Sequence, residues 1–182
     1  MTVCLLTEIR SVDSNGVALD SPRLQEDRVR QSVVSILKSS AVCSLATITP
    51  EGRSYINAVY FSFSLEYELF FLSNSNSIHC RNLATNKSAA VNVFPTSPAW
   101  GNPIVGVQLF GTAEEADGAA AQTGEKSYGI RFPDFPKWKE AASKTDLLRQ
   151  FKFYRFQVDS LKIVDENNIG DSVWICASVL RR

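Results

Sequence analysis

Alternation of apolar and polar residues recurs along most of the chain and predicts a β-rich fold. Val42 to Thr49, Ser54 to Phe63 and Glu68 to Ser73 read as three short strands, the first two joined by a turn at Pro50-Glu51-Gly52. Connections this short favour an antiparallel meander. Strand character returns at Ala89 to Phe94 and Ile104 to Ala113, on either side of a loop punctuated by Pro95, Pro98, Gly101 and Pro103. Lys152 to Val164 alternates again, with Phe153, Phe156, Val158, Leu161 and Ile163 among polar residues, and Val173 to Leu180 is a last run suited to close the sheet.

Helical spacing interrupts this pattern in three places. Leu24, Val29, Val33, Ile36 and Leu37 predict an amphipathic helix from Leu24 to Lys38, with Ser21 as N-cap and Pro22 at the first helical position. Ser77 is placed to cap a short helix reaching Thr85, and a further helical stretch covers Ala116 to Tyr128. Tyr128 to Trp138 holds two prolines and four aromatics; it reads as too irregular for a regular element and too apolar for a free linker, so it should fold over something. Residues 1 to 22 contain Asn15-Gly16 and are expected to form a small hairpin or an extended arm. The organisation that follows is an N-terminal arm, 1–23, and a single domain, 24–182.

Composition narrows the function classes. The 182 residues are 45% hydrophobic and 21% charged, which is ordinary for a soluble domain with one core. Nineteen basic residues balance nineteen acidic ones, so the global positive field that supplies nucleic-acid affinity is missing. Cys4, Cys43, Cys80 and Cys176 are scattered without a CxxC pair, and His79 is the sole histidine, which argues against a metal site. The apolar run Val3 to Leu6 is too short, and too soon followed by Glu8 and Arg10, for a signal peptide or a membrane span. A cytoplasmic protein with free thiols is the expectation.

Three local sequences then acquire weight from their order. The stretch LFFLSNSNSIHCRNLATNKSAAVNVF carries Arg81-Asn82-Leu83 and Asn86, TITPEGRSYINAVYF precedes it and VGVQLFGTAEEA follows. Together they resemble the pyridoxamine 5'-phosphate oxidase superfamily over roughly residues 24 to 165. The resemblance implies an α+β fold, mainly β: a six-stranded antiparallel split β-barrel of Greek-key type with flanking helices. It further implies a homodimer with two FMN molecules in the clefts between subunits, and an oxidoreductase whose flavin exchanges a hydride with a small organic substrate. No side chain need then act as acid or base.

The site implied by the resemblance is spread over Ile56 to Ser64 and Leu72 to Arg81. Ser77 falls at the turn serine and Ser73 at a threonine position facing the same pocket, while the backbone of Asn57, Ala58, Val59 and Tyr60 lines the ring. Aligned on the oxidase itself, Asn57 replaces an Arg, Ser62 a Lys, Ile78 an Arg and His79 a Lys, so most of the cationic phosphate clamp is replaced. Arg53 and Arg81 are the nearest cations able to compensate, and Ser73, Ser77 and amides at a helix N-terminus can hold a phosphate. His79 reads as a phosphate contact, a haem or metal ligand, or an exposed helix residue. Trp100, Phe132, Phe135 and Trp138 can stack on a planar ligand, with core or dimer packing the better expectation. A barrel that has lost FMN and serves as a binding module, or that binds the deazaflavin F420 or haem, is the alternative the four replacements raise.

Overall fold

A computed structural model describes residues 4–19, 25–96 and 99–182. The expected cap at Ser21, with Pro22 and Leu24, and the loop residue Pro98 lie outside the described residues. Eight strands and five helices follow in the order β1 (Cys4–Val12), α1 (Glu26–Ser39), β2 (Val42–Ile48), β3 (Ser54–Phe63), β4 (Glu68–Asn74), α2 (Ile78–Thr85), β5 (Ser88–Val93), β6 (Val105–Glu115), α3 (Gly118–Arg131), α4 (Phe135–Ser143), α5 (Leu147–Gln150), β7 (Phe151–Asp165) and β8 (Trp174–Arg181).

Every strand pair is antiparallel, and the sheet runs β1-β8-β7-β4-β3-β2-β5-β6, with β6 returning to β7. Six strands therefore close into a barrel, and β8 and β1 extend the sheet from the outer part of β7. This is the split barrel expected from the sequence, with β2, β3 and β4 as the meander. The Asn15-Gly16 segment closes a tight hairpin on the end of β1, where Val12 bridges Ala18.

The inward residues Leu45, Phe61, Leu69, Val107, Leu109, Phe156 and Ile163 are at most 1% exposed. Helix α1 starts at Glu26, after Gln25 as its N-cap, and lays Val29, Val33, Ile36 and Leu37 against this core. Helix α2 buries Cys80 and Leu83 at the other end of the barrel, where β2, β3 and β6 meet it.

The segment 128–138 departs from the sequence expectation. It is the last turn of α3, a short break containing Pro133, and the first turn of α4. Pro136 sits in the first turn of α4, where its missing N–H leaves no helical bond unmade, so two prolines are compatible with two helices. These helices do fold over something. Tyr128, Phe135 and Trp138 pack with Phe153 and Phe151 of β7, and Phe132 meets Tyr128 and Tyr60. These aromatics thus pack with one another and against β7, with Phe135 buried and Phe132 and Trp138 half-buried. Trp100 is different: it is fully exposed on the loop before β6.

Arg131, at the end of α3, ties this cover to the opposite helix. Its guanidinium donates to the carbonyl of Leu37 at 2.7 Å and to that of Ser40, and it lies 4.5 Å from the Phe61 ring centre. The last turn of α1 has carbonyls without helical partners, and this fork satisfies two carbonyls there. Burial pushes the Arg131 pKa below the usual guanidinium value.

Two substitutions test these constraints. A Cβ on Gly111 would meet the Gln157 carbonyl oxygen of β7 at 1.9 Å, where β6 and β7 shift register. Gly111→Ala is expected to destabilise the protein by roughly 3 kcal/mol, since a backbone must move to admit the methyl. Arg131→Met, which keeps the stem but leaves two carbonyls unpaired, is expected to remove about 2 kcal/mol. Urea midpoints that move by less than the error for either variant would contradict this account of the fold.

Candidate functional site

The barrel is split between β3 and β4. These strands pair only through Phe61–Phe71, Ser62–Phe70 and Phe63–Leu69, although β3 goes on pairing with β2 as far as Ser54. From Tyr60 back to Ser54, one edge of β3 has no strand beside it. Backbone groups alternate between the two edges of a strand, and the Phe61 N–H donates to Ala41 on the β2 side. The N–H and C=O groups of Ala58 and Tyr60 therefore face the opening.

The far wall of the opening is the end of β4 and the start of α2. Ser77 caps α2, its Oγ accepting from the Cys80 N–H at 3.4 Å. The cap orients the first turn so that its remaining free amides point away from the helix body. His79 turns back toward β4 and is 8% exposed, with Nε2 at 2.7 Å from Ser73 Oγ and 3.2 Å from Ser77 Oγ. The Phe71 ring, stacked on Tyr154, lies 6.2 Å from the imidazole. Desolvation pushes the His79 pKa down from its usual value, which favours the neutral ring.

The structure thus gathers Ser73, Ser77 and His79 into one hydrogen-bonded cluster across the opening from Ala58 and Tyr60. Tyr60 is exposed and Val59 is buried in the core. Asn57 is half-buried, and its Oδ1 is buried without a hydrogen-bond partner, while its Nδ2 donates to the Ala58 carbonyl at 3.4 Å. Ser62 does not join the cluster; it is buried beneath α3, its hydroxyl 2.8 Å from that of Ser127. Arg53 is exposed beside the β2–β3 turn, and its backbone N–H donates to Thr49 Oγ1. Arg81 is exposed and its guanidinium donates to the Asn76 carbonyl, bracing the turn before α2.

Sequence reasoning missed two residues here. Asn82 donates from Nδ2 to Thr47 Oγ1 at 3.0 Å in the core, pinning α2 to β2. A polar residue on the apolar side of a short helix was the available signal. Lys152 is the cross-strand partner of Ser73, so it emerges on the same face of the sheet; only the register of β4 against β7 reveals it.

As a donor set, the opening offers two hydroxyls, helix amides and an open strand edge. Hydroxyls and amides suit a phosphate, and an edge of alternating N–H and C=O suits a flat heterocycle. The residues present fit a flavin mononucleotide, with neutral donors where a cationic clamp would otherwise stand.

Comparisons with known proteins agree on the scaffold. A haem-binding protein from Mycobacterium smegmatis superposes with a TM-score of 0.66 at 19% identity, over 87% of this chain and 60% of that one, so the chain spans about three fifths of its length. The haem storage protein HutZ from Vibrio cholerae gives 0.57 at 17% identity, over 70% and 88% of the two chains. A FAD-binding protein from Mesorhizobium loti gives 0.54 at 14% identity, over 94% and 99%. A search of the curated proteins returned no match. The sequence model described as pyridoxamine 5'-phosphate oxidase matches residues 29–159, from within α1 to within β7 and including all of the cluster, and the chain belongs to that family.

Proposed function

We propose that the protein binds FMN in the opening between β3 and β4 and acts as an oxidoreductase on a small organic substrate. The observation that carries this reading is the divergence of β3 from β4 after three residue pairs, which leaves a free strand edge facing Ser73, Ser77 and the start of α2. Bound flavin supplies hydride transfer, and the chain's own residues bind and orient it. Ser73 and Ser77 donate hydroxyls to the phosphate, the first turn of α2 adds amides, and the backbone of Ala58 and Tyr60 holds the ring edge-on. Membership of the family supports this assignment.

Haem is the second reading, favoured by the two haem-related proteins of similar fold. In this chain Nε2 of the sole histidine is already bonded to two serines, so ligation through it requires breaking both contacts. FMN leaves the imidazole in place and asks only that the serine hydroxyls turn toward the phosphate.

The working unit is proposed to be a homodimer. Ala46, Ile56, Ala58, Ala90, Asn92 and Phe110 occupy cross-strand positions on the outer face of β2, β3, β5 and β6, alternating with core residues such as Leu45, Val91 and Leu109. None of them carries a charge, and this face runs directly into the opening, so a second copy seated on it would wall the flavin cleft. No helix among the described residues is long and apolar enough to cross a membrane.

The purified protein is expected to take up FMN near one per chain and turn yellow. A colourless protein that ignores added FMN, or one with a Soret band, would overturn the flavin reading. Ser73→Ala is expected to weaken FMN by about tenfold, one charge-assisted hydrogen bond, with little change in riboflavin affinity, as riboflavin has no phosphate. Ala90→Arg places a charge at the centre of the proposed dimer face and should yield a folded monomer by sedimentation, with FMN affinity reduced. A dimer that persists in this variant would place the interface elsewhere.

A further inference from the structure

The chain's one imidazole occupies the two hydroxyls on which the proposed phosphate site depends. In the neutral tautomer with its proton on Nδ1, the Nε2 lone pair accepts from the Ser73 and Ser77 hydroxyls together, so neither serine has a proton to offer an anion. A proton on Nε2 reverses this arrangement. The ring then donates to serine oxygen, both hydroxyl hydrogens are released to turn toward the opening, and the site gains a positive charge. Ser77 can still accept from the Cys80 N–H while donating outward.

We propose that His79 gates this anion subsite, a phosphate monoester entering together with one proton taken up from solvent onto Nε2. The proposal rests on the flavin reading above and concerns how that site is regulated. A buried imidazole, two hydroxyls bonded to the same ring nitrogen and a helix start lie together at this point of the fold.

The surroundings leave His79 free to answer to the ligand. On α2, Cys80 is buried and the Arg81 guanidinium is turned to the Asn76 carbonyl. On β7, Tyr154 stacks on Phe71, and burial raises its pKa so that its hydroxyl stays protonated; Lys152, opposite Ser73, is exposed. On β6, Glu115 is exposed opposite Tyr154. No carboxylate is hydrogen-bonded to His79 among the described residues, and burial alone lowers its pKa. An entering dianion provides the missing counter-charge and raises the pKa of the ring.

The sign follows from proton linkage. The complex binds a proton that the free protein lacks, so affinity for the phosphate strengthens as pH falls from above the pKa of the complex toward that of the free ring. A phosphate monoester loses its second proton near about pH 6, so the useful window runs from about pH 6 to about pH 8.

Because His79 is the only histidine, its ring resonances are unambiguous by proton NMR in the wild-type protein. FMN and riboflavin are to be titrated across this window, with the ring's pKa followed in each complex. The expected result is a ring that titrates below the ordinary imidazole value alone and higher with FMN, FMN affinity several-fold stronger at the acid end, and riboflavin affinity flat. His79→Gln should abolish the pH dependence while retaining riboflavin binding. FMN that binds with the same affinity across the window, leaving the ring's pKa unmoved, overturns the gate and leaves the flavin reading standing. Neither FMN nor riboflavin binding at any pH, with the ring unmoved, overturns both.

Discussion

Closure of the barrel along β6 and β7 is the constraint from which the other features descend. β7 runs for fifteen residues and is hydrogen-bonded along both edges. One edge takes β6 from Val105–Asp165 to Glu115–Tyr154; the other takes β4 over Phe151–Gln157 and then β8 over Ser160–Val164. The handover from β4 to β8 falls where β6 and β7 shift register, next to Gly111, whose lack of a side chain allows the two backbones to approach. A bulge increases local twist, which carries β8 and β1 off the barrel while β4 stays within it. With β4 held to β7 over seven pairs and to β3 over only three, the sheet opens on the β3 side.

That opening would be a liability if it were merely an unpaired edge. Here it is bounded by α2 and its cap, which also seals the end of the barrel through Cys80, Leu83 and the Asn82–Thr47 hydrogen bond. The same short helix is therefore both plug and pocket wall. Cover from the other side comes from α3 and α4, and Arg131 links that cover to the last turn of α1. The opening is thus bounded by helices that are themselves packed on the barrel.

The sequence pattern revealed the strands and the short capped helix well, because period-two alternation and a serine before a helical run are local signals. Lys152 to Val164 and Ser77 illustrate both. Two elements were less legible for a physical reason. Around Phe132 to Trp138, prolines and clustered aromatics obscure helical spacing, since the aromatics serve a shared cluster with β7 instead of one helix's own stripe. The contacts of His79 were hidden because they depend on a turn that folds the helix start back on β4; adjacency in sequence says nothing about which atom Nε2 meets. Ser62 and Ser73 look alike in the sequence, both on strands of the same hairpin, yet the first faces α3 and the second the opening. A strand's side chains alternate between environments, and only the packing of α3 determines which environment is the pocket.

The replacement of cations by neutral donors changes what the site must do rather than whether it can form. A clamp of Arg and Lys carries its charge permanently, which requires either solvent or a ligand beside it at all times. In this chain the pocket wall contains a neutral, internally bonded cluster that leaves the α2–β4 junction satisfied without a ligand. The barrel can then be stable in its empty state, with Asn57 Oδ1 the one buried side-chain acceptor of the opening left unpaired among the described residues. Charge is added only when an anion makes it favourable. Empty and occupied forms of the α2–β4 junction then differ by one proton on Nε2 and by the direction of its two serine hydrogen bonds, while the barrel itself is held by its strand pairing and core.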